Sequence, residues 1–302
     1  MRGSIKYLIL FMAVFFMCLP IQKALASAEV YIGANTHSPS VKRWAVSIDL
    51  APFDSISWIW NLEIKDKLHK NKRRDTILVV PETAIPEDIT LVVWFHGLGG
   101  FSEKTFAKRI IPQIDYLVDG GNSFAVAIPE MPWSINTSTR RGRQGRVWTK
   151  PGELERYIKD LKEHLDVWAL MKHGKSIGNV RIVFVGHSAG GSAIMAAAKE
   201  GGLCRVAPEA IIWSDASYGY WLDSAWSGCV KNLGPDTEAH VLVRRWDKPH
   251  KNAERAMRAV RRARRRNTGP NVLYQVLDRK RWSHGRIGNN VFLLTDVFPP
   301  GC

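Results

Sequence analysis

Gly186-His187-Ser188-Ala189-Gly190 sets a serine between two glycines. It closes the apolar run 180–185 and precedes the small-residue stretch 191–199. A strand that turns straight into a helix through such a pentapeptide forms a nucleophile elbow: the turn is tight, the serine backbone is strained, and the hydroxyl stands exposed above the sheet. Ser188 is therefore the candidate nucleophile. The competing reading is a glycine-rich turn whose serine caps the helix. A serine hydroxyl needs a base, and His284 is the candidate. It lies in Trp282-Ser283-His284-Gly285-Arg286, just after the strand-like run 272–277. An imidazole that titrates near neutrality can take the serine proton and return it to a leaving group. His240 opens a strand and His250 begins a basic helix, so neither is as well placed.

A second glycine motif bears on the same chemistry. The apolar run 89–95 leads directly into His96-Gly97-Leu98-Gly99-Gly100. A loop of this kind turns backbone N–H groups toward a nucleophile, where they bind the oxyanion of a tetrahedral intermediate. The expected donors are the amides of Leu98 (or Gly99) and Ala189. His96 is expected to orient the loop rather than act as a base.

With the oxyanion loop, the elbow and a late histidine in this order, residues 89–287 resemble the α/β-hydrolase superfamily. The resemblance implies an α/β fold: a mostly parallel central sheet flanked by helices, with antiparallel N-terminal strands. It also implies a Ser-His-acid triad that works through an acyl-enzyme without a cofactor. Superfamily members place the acid after either of two late strands, and both positions hold an aspartate. Asp215 follows the run 210–213 in Ser214-Asp215-Ala216-Ser217-Tyr218-Gly219, whose small and hydroxyl-bearing neighbours suit a buried carboxylate. Asp247 follows 240–245, where it could equally be an acidic residue at a helix start. Asp215 is slightly preferred, and both are kept as candidates.

These elements require a scaffold. Strand-like and helical segments alternate through the chain, as in a largely parallel sheet whose ligands sit at the carboxyl ends of the strands. Segments 41–50 and 55–64 read as an opening antiparallel hairpin, with 76–80 extending it. Helices are expected over 103–117, 152–172 and 248–266. No repeat or linker divides the 302 residues, so residues 27–302 read as a single domain with loop insertions at about 129–150 and 216–235.

Residues 1–26 read as a signal peptide. Arg2 and Lys6 precede an apolar stretch, and Ala24-Leu25-Ala26 offers a cleavage site. The mature protein is accordingly expected to be secreted or periplasmic. Export permits disulfides, and Cys204, Cys229 and Cys302 remain after the leader; Cys204–Cys229 and Cys229–Cys302 are both open pairings. No Cys/His cluster has metal-ligand spacing.

The formal charge is +15, of which Arg2, Lys6 and Lys23 belong to the leader. Much of the excess lies in the basic helix 251–266, read first as a helix packed on the sheet with a basic outer face. It is also a possible contact for an anionic polymer or membrane surface; no nucleic-acid motif accompanies it. Around the site, Trp133, Trp148, Tyr218 and Trp221 are candidate substrate-binding aromatics. Polar neighbours (Glu130, Arg140, Arg141, Arg143, Arg146, Asp223) point to a partly polar substrate, small or attached to the cell envelope. The leading reading is an exported serine hydrolase cleaving an ester or amide. The principal rival is a non-catalytic binder of an anionic cell-envelope polymer on a hydrolase scaffold; a lipase with a membrane-facing lid is a third.

Overall fold

The computed structural model describes residues 53–64, 72–98, 105–129, 131, 146–264 and 269–298. The expected leader, segment 41–50 and most of the 129–150 insertion lie outside these residues.

Among the described residues eight strands form one sheet in the order β1-β2-β4-β3-β5-β6-β7-β8. β1 (Phe53–Ile64) and β2 (Lys72–Pro81) pair antiparallel, from Phe53 opposite Pro81 to Ile64 opposite Lys72. Among the described residues the opening antiparallel hairpin is made by 53–64 with 72–81, which includes the expected 76–80 extension. The charged start of β2, Lys72-Arg73-Arg74, hid its full length in the sequence. β2 also pairs antiparallel with β4 (Phe124–Pro129). From there the sheet is parallel: β4 and β5 (Asn179–His187) flank β3 (Asp88–Phe95), followed by β6 (Ala210–Ser214), β7 (Glu238–Arg244) and β8 (Asn271–Leu277).

The strand sequences account for this arrangement. Parallel strands covered by helices on both faces must be apolar throughout rather than alternating. β4 and β6 are buried at every position, and β3 at all but its first. The 210–214 run Ala-Ile-Ile-Trp-Ser has no outward polar position, as expected for an interior strand.

The helices differ from expectation at one place. The predicted helix over 103–117 is a π-helical turn, Phe106–Ile110, followed by α1 (Ile111–Asp119). Pro112 sits in the first turn of α1. Lacking an N–H, it interrupts a continuous hydrogen-bond ladder but is accommodated where a helix begins. α2 (Glu153–His173) runs between Gly152 and Gly174, both at positive φ. It buries Leu154, Ile158, Leu161, Leu165 and Trp168, a stripe at three- and four-residue spacing.

α3 (Gly191–Glu200) and the single-turn α4 (Gly202–Arg205) follow the elbow; α5 (Trp221–Gly228) follows β6. Cys204 in α4 bridges to Cys229 just past α5, with Cα atoms 6.1 Å apart. α6 (Lys248–Arg264) packs Ala253, Ala256, Met257 and Val260 inward and exposes Lys251, Arg258, Arg261 and Arg262. The basic helix is thus a packed helix with a cationic outer face. α7 (His284–Gly288) and α8 (Val291–Thr295) follow β8. No helix among the described residues is long and apolar enough to cross a membrane.

Candidate active site

β5 ends in His187, and Ser188 follows with φ 55°. Left-handed backbone at a residue with a Cβ is strained and persists only where packing imposes it. Packing imposes it here through the neighbouring glycines. A Cβ on Gly190 would lie 1.9 Å from the Phe95 carbonyl oxygen, and one on Gly191 2.3 Å from that of Ala216. A Cβ on Gly186 would lie 3.0 Å from the carbonyl carbon of Gly190, where the chain folds back, and 2.8 Å from the Ile194 Cδ1. The elbow is wedged between the ends of β3 and β6, leaving no room for side chains at these positions.

The end of β3 carries the second motif. A Cβ on Gly97 would lie 3.0 Å from Ser188 Cβ and 3.5 Å from Ser188 Oγ, so this loop backs directly onto the serine. Ala189 is buried and the Leu98 side chain is exposed; Gly99 lies outside the described residues. His96 is buried. Its Nε2 accepts from the Met131 amide at 3.0 Å, which leaves Nδ1 to carry the proton and donate to the Gly97 carbonyl, also at 3.0 Å. Burial pushes its pKa down to about 4. A neutral, doubly engaged imidazole shapes the loop and has no free nitrogen for proton transfer.

His284 opens α7, whose start is capped by Ser283 Oγ accepting from the Arg286 amide at 3.1 Å. Its Nδ1 lies 2.6 Å from Asp215 Oδ2. Asp215 is 1% exposed, has φ 48°, and accepts at Oδ1 from the Arg244 amide at 3.3 Å. The structure thus brings His284 and Asp215 together. Asp247 is elsewhere engaged, in an ion pair with the Arg244 guanidinium at the start of α6. With Nδ1 of His284 held by the carboxylate, Nε2 is the nitrogen left for a substrate or nucleophile.

Three residues around His284 carried no signal in the sequence reading. The His187 ring stacks on His284 with centroids 4.7 Å apart and planes 27° apart. It sits so close to Gly288 that a Cβ there would lie 2.7 Å from its Cε1, and its Nδ1 meets the Ser214 carbonyl at 3.1 Å. Burial, then the nearby His284 and Arg109, hold its pKa well below the ordinary histidine range. This neutral ring, carried by the residue preceding Ser188, forms a floor under His284. Arg109, from the π-helical turn, donates to the Gly285 carbonyl at 2.6 Å and to Asn289 Oδ1. Gln113 donates to the Gly288 carbonyl at 3.3 Å, and its Oε1 accepts from the Phe292 amide at 3.0 Å. The segment bearing His284 is therefore braced from the helix that follows the Gly97 loop. A G-H-S-x-G pentapeptide does show a histidine beside the serine, but its partner lies 97 positions downstream. No local pattern links them.

Among the described residues no direct hydrogen bond joins Ser188 to His284. Catalytic hydrogen bonds are often long or misaligned in a ligand-free enzyme and tighten when substrate binds. The Tyr218 side chain lies near Ser188. Burial and then Asp215 raise the Tyr218 pKa, and the Ser188 contact acts in the opposite sense. Tyr218 packs edge-on against Trp221, with centroids 5.6 Å apart.

Two other candidates need correction. Trp148 does not line a pocket: it is fully buried, edge-on against Phe95 (5.3 Å) and Tyr157 (5.2 Å). Core packing claimed an indole that the sequence placed in a loop. Asp223 is bound by Arg255 of α6 at 2.6 Å and serves helix docking. Trp133, Glu130, Arg140, Arg141 and Arg143 lie outside the described residues, and the Arg146 side chain is not described.

No protein-family model and no curated protein matches the chain. Among solved structures, it is similar to an esterase from Pyrobaculum calidifontis at 12% identity and TM-score 0.50, over 80% of this chain and 86% of that one. It is also similar to a dienelactone hydrolase from Anabaena variabilis at 15% identity and TM-score 0.49, over 81% and 96% of the two chains. An IroE-like serine hydrolase from Shewanella oneidensis follows at 15% identity and TM-score 0.46, over 78% of each. At such identities the likeness concerns architecture, and only the first reaches a TM-score that bears on it. With the strand order, the elbow after β5 and the loop after β3, it identifies the chain as having the α/β-hydrolase fold.

Proposed function

We propose that the protein is an exported serine hydrolase that cleaves an ester or amide bond through an acyl-enzyme. Ser188 is the nucleophile, His284 the general base and acid, and Asp215 the group that holds the imidazole. The Ser188 Oγ attacks the substrate carbonyl carbon while its proton passes to His284 Nε2. The amides of Leu98 and Ala189 stabilise the oxyanion. The intermediate collapses, the leaving group takes the proton from His284, and water repeats the sequence to release the acid. Asp215 fixes the imidazole tautomer and stabilises the imidazolium as it forms. Tyr218 and Trp221, packed edge-on against each other, form one wall for the substrate.

One observation carries this assignment: the 2.6 Å contact between His284 Nδ1 and the buried Asp215, beside a serine held in a strained turn. A binding protein gains nothing from that strain. Export is supported by the leader pattern and by the Cys204–Cys229 bridge, which suits an oxidising compartment.

A fluorophosphonate probe tests the reading. Mature protein should be labelled, and Ser188→Ala should abolish labelling; labelling that survives the substitution refutes Ser188 as the nucleophile. A panel of esters and peptides then separates esterase from amidase activity.

A further inference from the structure

The ends of β7 and β8 carry a surface unused by this chemistry. Trp246 follows β7 with φ 68°, and its indole is 69% exposed. Its amide donates to His250 Nδ1 at 3.2 Å, so the strained backbone is pinned from α6 while the ring is held in water. A strained turn that presents a large apolar ring to solvent adds nothing to the isolated chain's stability.

The segments at the ends of β7 and β8 are rich in exposed cations. Arg245, Lys248 and Lys251 are exposed beside Trp246 in sequence. Arg279, Lys280 and Arg281 are exposed on the turn after β8. The two groups are neighbours: β7 and β8 are paired through Arg244 opposite Leu277, and the Arg245 amide donates to the Leu277 carbonyl at 2.9 Å. Of the acids in these two segments, Asp247 is held by Arg244, which leaves Asp278 against six cations.

We propose that this surface docks the protein on a lipid bilayer rich in anionic headgroups. Tryptophan favours the bilayer interface, where its ring meets acyl chains and its N–H meets headgroups. Clustered lysine and arginine add attraction to the negative surface. The exposed indole favours a bilayer over a soluble polyanion, which offers phosphates or sulfates but no apolar layer to receive a ring. The patch lies at the carboxyl end of the sheet: the Arg244 amide bonds Asp215, and His284 is four residues beyond Lys280. Docking would bring the mouth of the candidate active site to the membrane. The binding itself does not depend on the hydrolase assignment.

The experiment is co-flotation of the mature protein with vesicles of phosphatidylcholine alone and of equal parts phosphatidylcholine and phosphatidylglycerol. Binding is expected only to the second, and should weaken as salt is raised. The triple variant Arg279→Gln, Lys280→Gln, Arg281→Gln should lower vesicle affinity on the order of a hundredfold, and Trp246→Ala should weaken it further at unchanged thermal stability. No binding to anionic vesicles at low salt, or binding that ignores both variants, overturns the proposal. So does heparin binding that matches vesicle binding and is insensitive to Trp246→Ala, which would make the partner a soluble polyanion. Fluorophosphonate labelling of the same variants reports separately on the hydrolase reading.

Discussion

The turns after β6 and β7 begin alike and end in different chemistry. Each lies at the carboxyl end of a parallel strand, holds an aspartate, and contains a non-glycine residue at positive φ: Asp215 in one, Trp246 in the other. Arg244 links them, its amide donating to Asp215 and its guanidinium pairing with Asp247. After β6 the carboxylate is cut off from water and its side-chain partner is a histidine. After β7 the carboxylate is less buried, faces a permanent cation, and opens a helix whose dipole favours it. An orienting acid is therefore defined less by its place in the topology than by its surroundings. Burial makes its one histidine contact strong, whereas an arginine beside it makes it a structural ion pair.

The strongest way to break this comparison is to neutralise each acid in turn. Asp215→Asn should lower kcat by about 10⁴-fold with the fold intact, because the amide stabilises neither the needed tautomer nor the imidazolium. Kinetics on any accepted ester would measure it; a larger loss from Asp247→Asn would reverse the roles. Next comes the bracing of the β6 side. Replacing Cys204 and Cys229 by serine together should cost about 2–4 kcal/mol in denaturant unfolding, while folded protein keeps its fluorophosphonate reactivity. Full stability without the bridge would show that the wall beside Asp215 needs no staple.

The histidines sharpen the comparison through pH. His96 has a folded-state pKa of about 4 against an ordinary 6.5. The unfolded chain therefore takes up the proton first. The stabilisation is complete above 6.5 and is lost as pH falls toward 4, by about 3 kcal/mol. His187, also depressed, acts in the same direction. Urea midpoints should drop across that window, and His96→Gln should make the fall shallower; an unchanged slope would mean His96 is not neutral in the folded protein. The turn after β6 is also sterically fixed: Gly191→Ala puts a methyl against the Ala216 carbonyl. It should cost on the order of 1–3 kcal/mol and lower kcat by displacing Asp215, which a denaturation curve paired with a rate would detect. The smallest effect belongs to Asp247→Asn, expected to change stability by less than about 1 kcal/mol and activity by less than threefold.

Much of this was legible in the residue order. Largely apolar runs marked β3, β5 and β6 because interior parallel strands have little polar side to show. The pairing of Gly186 with Gly190, and His96-Gly97 after a strand, marked two backbones in close approach. Other features were hidden for identifiable reasons. Both aspartates fit strand-end positions, and the contact that distinguishes them spans 69 residues. Arg109 and Gln113 look like ordinary helix polar residues until their partners at Gly285, Gly288 and Phe292 are in place. Trp148 was misplaced because an indole in an irregular stretch reads the same whether it faces solvent or Phe95.

The contact between Gly190 and the Phe95 carbonyl has a wider consequence. The spacing between two strand termini is fixed there by main chain pressed on main chain, without a flexible side chain between them. Rotamer changes elsewhere cannot widen or narrow that gap, so repacking the interior should leave the serine's register with the preceding loop untouched. A directed-evolution campaign on this scaffold should therefore find its freedom in the aromatic wall and almost none at the junction.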